Sequence, residues 1–321
     1  MTVLILTCTQ DVTADLVVER LDARGVPVLR MDPADLPGAV ALSGEFGEGG
    51  EGGEGGLRGA LSVGGRQVGF GDLRSVWVRR PGVPGSAAED ASDWLVQEAS
   101  QALYGMLRGT GARWMNPPEA AYMARHKPWQ LRLAQQSGLP VPATLITTVP
   151  RAARDFAARH RDLVVKPVSG THPQDPPLVV PTSRVAPDAD FDAVALGPTL
   201  LQRLVVKRAD IRLTAVGDRL LAARKEVSPD AAPEDVDVRF APSAHAWRAV
   251  GVPDSVAAGV RGYLHAARLA YGAFDFAEDA EGTWWFLECN QSGQFAFVEL
   301  DTGQPVTDAV ACWLAGPREE G

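Results

Sequence analysis

The spacing of hydrophobic positions changes period several times along the chain, and each change marks an element. Val3 to Leu6 is a continuous apolar run, as in a strand buried on both faces; Val12 to Ala23 recurs at helical spacing and stops at Gly25; Val26 to Leu29 resumes an apolar run. This predicts a β-α-β start. Ser75 to Val78 is another strand, ended by Arg79-Arg80-Pro81 because proline cannot donate to a ladder. From Glu89 to Leu107, residues Trp94, Leu95, Ala99, Ala102, Leu103 and Met106 keep helical spacing, with acids in the first turn where the helix dipole favours them. Gly109 and Gly111 close this part. Between its strands, residues 44 to 56 read GEFGEGGEGGEGG, which can bury almost nothing and predicts a flexible surface connection joining two strands.

A second part starts at Asn116, with Pro117 at a helix start behind an asparagine cap. Lys127 precedes Pro128, so one helix ends and another begins there. Gly138 ends the second helix, LPVPATLITT leads into a strand, and a helix over 150 to 160 precedes the strand Leu163 to Lys166. A lysine closing an apolar strand needs an anionic partner or a route to water. A strand over Thr199 to Leu204 is followed by a hairpin, Asp210 to Val216 and Arg219 to Val227, around Gly217-Asp218. Alternation puts Asp210, Arg212 and Thr214 on one face and Ile211, Leu213 and Ala215 on the other. A helix over 255 to 271 leads into a strand at 273 to 276, a turn at Asp279 to Gly282 and the strand Trp284 to Asn290. Glu288 and Asn290 break the apolar pattern of that last strand at period two, and an even-length hairpin loop puts Asp275 on their face. Two carboxylates and an amide oxygen on one face suit a hard cation such as Mg²⁺.

Composition narrows the function. The 321 residues suit about two domains, at roughly 100 to 200 residues each. With 31 basic and 40 acidic residues the net charge is -9, which argues against a nucleic-acid partner held through phosphates. No apolar run reaches the ~18 residues of a membrane span, and the first residues lack a basic n-region, so no membrane association and a cytoplasmic location are expected. Cys8, Cys289 and Cys312 form no CxxC, and the five histidines fall in no metal-ligand spacing. An acidic substrate would be repelled by this net charge unless arginines gather at the chemistry, and Arg79, Arg80, Arg239 and Arg248 are the candidates. The Pro/Ala/Asp-rich stretch 228 to 238 before Arg239 suits a mobile peptide-binding element.

In their order, Lys127, Lys166, Leu201-Gln202-Arg203-Leu204, the DIR of 210 to 212, Asp275 and the ECN of 288 to 290 resemble the markers of the ATP-grasp ligases. More narrowly, WVRRP at 77 to 81, AARKE at 222 to 226, DVR at 237 to 239 and ECNQSGQF resemble those that macrocyclise ribosomal peptides, the graspetide synthetases, microviridin ligases among them. The resemblance implies an α/β (α+β ATP-grasp) fold: an N-terminal pre-ATP-grasp domain over 1–115, a first ATP-grasp lobe over 116–200 and a second over 201–321, with ATP between the lobes. It implies that Lys127 and Lys166 contact ATP phosphates, that Gln202, Arg203 and Leu204 meet adenine chiefly through backbone groups, and that Asp210 accepts from the ribose. Asp275, Glu288 and Asn290 would hold Mg²⁺, and Arg212 and Arg224 would stabilise an acyl phosphate and the oxyanion that follows it. Arg79, Arg80, Asp237 and Arg239 would meet a precursor peptide made of a leader and an acidic core. The implied activity is ADP-forming ester or amide formation between peptide side chains; a homodimer is compatible with it. Two alternatives stay open: a ligase that adds an amino acid to a protein or small acid, and an inactive ATP- and peptide-binding module. Arg203 stands beside the hinge glutamine Gln202 where many ATP-grasp enzymes carry an acid, and the loop at 169 to 177 has one glycine where a phosphate-covering loop often has several.

Overall fold

The computed structural model describes residues 1–47, 56–89, 91–169, 171–172, 178–227 and 246–316. The chain begins β1 (Thr2–Thr7), α1 (Val12–Asp22), β2 (Val28–Met31), β3 (Val40–Phe46), β4 (Leu57–Val63), β5 (Arg66–Gly69), β6 (Leu73–Arg80), α2 (Asp93–Arg108) and β7 (Arg113–Met115). It continues α3 (Pro118–Ala124), α4 (Lys127–Gln136), β8 (Thr144–Thr147), α5 (Pro150–Arg159), β9 (Leu163–Lys166), β10 (Thr171–His172), β11 (Leu178–Val179), β12 (Ser183–Arg184) and β13 (Thr199–Arg203). Last come β14 (Ala209–Val216), β15 (Arg219–Glu226), β16 (Arg248–Val250), α6 (Asp254–Ala267), β17 (Tyr271–Glu278), β18 (Trp284–Asn290), α7 (Ala296–Thr302) and α8 (Val306–Ala315).

Three main sheets organise these elements. The first is parallel, in the order β2-β1-β6-β7, and the apolar runs of β1 and β6 are buried because both its faces are covered. Leu4, Leu6 and Val76 meet α2 through Leu103 and Leu107, whereas Val3 and Ile5 meet α1 through Val17 and Leu21, and α8 through Val310 and Leu314. The second sheet, β12-β9-β13-β8, is antiparallel and packs on Phe156 of α5. The third, β16-β15-β14-β17-β18, is antiparallel and buries Leu213, Phe274, Phe276 and Phe286 against α4 and α6. Helices α3 and α4 belong to this last core although the 116–200 span also contains the second sheet, because Ala120, Ala124, Leu133 and Ala134 present small and aliphatic surface to Tyr263 and its neighbours.

Helix α8 is docked end-on as well as sideways. The carbonyl of Trp313 accepts from Arg113 at 3.2 Å, that of Leu314 from the Ser75 hydroxyl at 2.8 Å, and that of Ala315 from Arg74. Carbonyls of a last helical turn lack partners inside the helix, and cationic side chains there also suit its dipole.

Several boundaries differ from the sequence pattern. The helix read to 271 ends at Ala267, where Arg268 takes a left-handed φ of 57° and lets β17 begin at Tyr271. Helix α2 starts at Asp93 rather than Glu89, because Ser92 Oγ caps it by accepting from Leu95 N–H at 3.3 Å. The strand read at 26 to 29 is centred two residues later. The Gly/Glu-rich stretch does join two paired strands, Phe46 lying opposite Leu57, but its residues 44 to 46 are strand; residues 48 to 55 lie outside the described ones. Among the described residues no helix is long and apolar enough to cross a membrane.

Candidate active site

A cleft of about 370 Å³ opens between the second and third sheets. Lys127, Lys166, Gln202, Asp210, Asp275, Glu288 and Asn290 all line it, so the elements carrying the expected nucleotide and metal residues converge.

The acidic pair depends on a detail of register. Near the turn, β17 and β18 pair Glu278 with Trp284 and Phe276 with Phe286, across a five-residue loop rather than an even one. Continued unchanged, that register would set Asp275 opposite Leu287 and turn Glu288 to the other face. A bulge between Asp275 and Phe276 takes up Leu287, so Asp275 stands directly opposite Glu288 and Asn290 follows on the same face, opposite Ala273. Asp279 secures the loop, its carboxylate accepting from Thr283 N–H at 2.8 Å and from the Trp285 indole at 2.7 Å.

Each carboxylate has a cation beside it. Arg212, opposite Asp275 on β14, donates to Asp275 Oδ1 at 2.6 Å, and Lys127 Nζ lies 3.0 Å from Glu288 Oε2. Burial pushes the Asp275 carboxyl above the usual carboxylate range; Arg212 opposes the rise and Glu288 adds to it. Lys127 is the first residue of α4 with Pro128 behind it, so its charge adds to a helix N-terminus facing the cleft. Asn290 Oδ1 accepts from Ser292 N–H at 2.9 Å. The donor set is all oxygen, which fits a hard dication.

On the opposite wall Lys166 Nζ donates to Gln202 Oε1 at 2.8 Å, and Gln202 Nε2 donates to Thr144 Oγ1 at 2.8 Å. The Gln202 amide thus orders the lysine through its oxygen. Asp210 is held by Lys207 at 2.7 Å.

Other expected residues are elsewhere. Arg224 lies opposite Ile211, not Arg212, and alternation sends it to the other face of the sheet, where it bonds Glu278 at 2.6 Å and Glu226 at 2.7 Å. Its neighbour Lys225, opposite Asp210, occupies the cleft face with its ammonium 6.0 Å from the Trp247 ring, a position that the two-residue turn at Gly217-Asp218 makes countable from the sequence. Arg203 stacks on Trp285 at 4.8 Å; its N–H donates to Ala143 and that of Leu204 to Asp162, and neither residue lines the cleft. Arg79 is buried with its fork on Ser292 O and Gln294 Oε1, while Arg80 is exposed. Asp237, Arg239 and the whole of the 228 to 238 stretch lie outside the described residues, as do 170 and 173 to 177. Arg248 is paired with Glu226 at 3.0 Å. Lys207, Lys225 and Gln294 were not singled out by the sequence pattern, and Asn116, read as a helix cap, does not cap α3: Pro117 precedes that helix and the Asn116 amide bonds Ala270, Tyr271 and Gln291 instead.

The Arg224 cluster gives a pH signature away from the cleft. Burial alone would raise the Glu278 carboxyl, but hydrogen bonds from Arg224 and Arg208 hold it below the usual range. A depressed folded pKa contributes stability above the unfolded value, about 4.3, that is lost as pH falls through the lower folded one. Glu278→Gln is therefore expected to show a smaller loss of Tm than the wild type between about pH 6 and pH 3 in thermal melts. Parallel losses in the two proteins would remove Glu278 from the acid response.

The sequence profile described as the MvdD pre-ATP grasp domain matches residues 2–121. A RiPP-associated ATP-grasp ligase from Chryseobacterium gregarium, solved with ADP and a leader and core peptide, matches at TM-score 0.84 and 25% identity over 99% of this chain and 98% of its own. The fold is that of an ATP-grasp ligase. The macrocyclase MdnC of Microcystis aeruginosa, bound to precursor peptide MdnA, matches this ATP-grasp chain at TM-score 0.81 and 25% identity, covering 98% of it and 100% of MdnC. MdnB of the same organism matches at TM-score 0.76 and 27% identity, covering 98% and 99%. No curated protein matches the ATP-grasp chain significantly in sequence.

Proposed function

We propose that the protein is an ATP-dependent ligase that activates side-chain carboxylates of a ribosomally made, acidic precursor peptide and joins them to hydroxyls or amines of the same peptide, closing rings. It would act in the cytoplasm. The observation that carries this reading is the opposed pair Asp275 and Glu288 facing a lysine-bearing cleft, in a chain matched from end to end by a peptide-bound ATP-grasp ligase.

Lys127, Lys166 and Lys207 bring positive charge to the cleft, as compact donors suited to phosphate oxygens. Asp275, Glu288 and Asn290 would hold Mg²⁺, which when bound neutralises phosphate charge during transfer. Arg212, held by Asp275 and the Gln294 carbonyl, would bring its positive charge to bear on the activated carboxylate and the oxyanion formed on attack. Phosphoryl transfer from the γ position leaves ADP, and capture of the acyl phosphate by a hydroxyl or amine releases phosphate. Each linkage thus removes one water from the peptide.

The test is mass spectrometry of a candidate acidic precursor peptide, leader included, incubated with enzyme, ATP and Mg²⁺. The expected result is loss of mass in water-sized steps with ADP formation. Added mass equal to an amino-acid residue would support amino-acid ligation instead, and AMP formation would remove the acyl-phosphate route.

A further inference from the structure

The end of β18 and the polar turn that follows it are held with unusual completeness. Six successive carbonyls, from Cys289 to Gln294, each accept a hydrogen bond, from Gln130, Gly293 N–H, Asn116, Arg79, the Tyr271 hydroxyl and Arg212 in turn. Buried carbonyls must find partners, but a loop rarely finds them from so many separate elements. Asn116 uses its whole amide: it donates to Tyr271 O and Gln291 O at 2.9 Å and accepts from the N–H groups of Ala270 and Tyr271.

Arg79 has the largest reach of these groups. It projects from the end of β6 in the parallel sheet, its side chain 2% exposed, and burial pushes its guanidinium below the ordinary arginine range although Asp11 lies 3.8 Å away. A buried guanidinium is costly unless its hydrogen bonds are made. Two of them are made to this segment, to Ser292 O and, at 3.0 Å, to Gln294 Oε1. The Thr13 hydroxyl of α1 donates to the same Oε1 at 2.9 Å, so Gln294 is fixed from two elements of the N-terminal unit. The main-chain carbonyl of Gln294 in turn receives Arg212 Nη2 at 3.2 Å, while Arg212 Nη1 holds Asp275.

We propose that Arg79 is a positioning residue: by fixing Ser292 and Gln294 it sets the carbonyl that orients Arg212 beside the Asp275–Glu288 pair. The N-terminal unit thereby completes the geometry of a cleft it does not line. The kinetic consequence rests on the ligase reading of Arg212; the mechanical one does not.

Arg79→Lys separates the two roles a buried arginine could have, because it keeps the charge near Asp11 while a single ammonium lacks the planar fork that spans both acceptors. Amide hydrogen exchange, which needs no substrate, is expected to speed up in residues 289–297 and to stay unchanged in β1 and α1. With ATP, Mg²⁺ and the acidic peptide described above, kcat is expected to fall roughly 10- to 100-fold with the KM for ATP within about twofold, as for a misoriented catalytic group. In an Arg212→Lys background the same change should cost little more, since both act through one contact. Unchanged exchange in 289–297, exchange that rises equally across the N-terminal unit, or full additivity with Arg212→Lys would each overturn the proposal. If Arg79→Lys does not fold, Gln294→Met deletes the shared acceptor and carries the same expectations. A wild type that shows no ligation, with the local exchange change intact, would sink the ligase reading and leave the clamp standing.

Discussion

Glu288→Gln is expected to lower ATP-dependent turnover by at least about a hundredfold, the scale of losing one preorganised electrostatic contact to a transition state. The substitution keeps the shape of a side chain that is 37% exposed at the cleft, so the core below it is untouched. What disappears is one of two facing carboxylates, and Lys127 is left beside a neutral amide 3.0 Å away. Steady-state ADP release at saturating ATP and Mg²⁺ measures the effect, with thermal melts to show that the fold persists. Turnover near the wild-type rate in a folded variant would take Glu288 out of the catalytic set.

Phe286→Ala is expected to destabilise the protein by about 3–5 kcal/mol, the usual range for removing a fully buried phenyl ring. Phe286 is 0% exposed and meets Tyr263, Phe274 and Phe276 at centroid distances of 5.7, 6.3 and 6.0 Å. It also stands next to the bulged Leu287, where the register of β18 changes. The cavity would remove the packing that pins this bulge, and a strand that slips by one residue reverses every side chain beyond the slip. Activity should therefore disappear at denaturant concentrations below the unfolding midpoint, which parallel assays of turnover and fluorescence would show. A stability loss under about 1 kcal/mol would mean that the site closes around the missing ring.

Much of the cleft was legible because it rests on alternation within single strands. Asp210 and Arg212 share a face whatever surrounds them, and so do Glu288 and Asn290. The union of Asp275 with Glu288 was reached on the assumption of an even loop, whereas the chain uses a five-residue loop and one bulge, and no local pattern distinguishes these. Arg224 shows the opposite failure: the hairpin arithmetic was available, but a motif drew attention to the arginine rather than to Lys225 beside it. Arg79 was misread for a physical reason. A charged residue closing a strand looks like a surface group until the segment that buries it, more than 200 residues later, is in place. Strand β5 and helices α7 and α8 were not singled out; α8 buries Val306, Val310 and Leu314 in a core while Asp308 on its other side pairs with Arg24.

The docking of α8 bears on how the chain folds as it is made. Val3, Ile5, Val17 and Leu21, near the start of the chain, complete their packing with Val306, Val310 and Leu314 near its end. A nascent chain ordinarily folds its leading domain while the rest is being translated, at about 5–20 residues per second. Here, one face of the first sheet has to wait for roughly 280 further residues, some 15 to 60 seconds at those rates. During that interval the part of Val3 and Ile5 that α1 leaves uncovered would be open to solvent or to a chaperone, so the earliest strands of this protein are among the last to acquire their final neighbours.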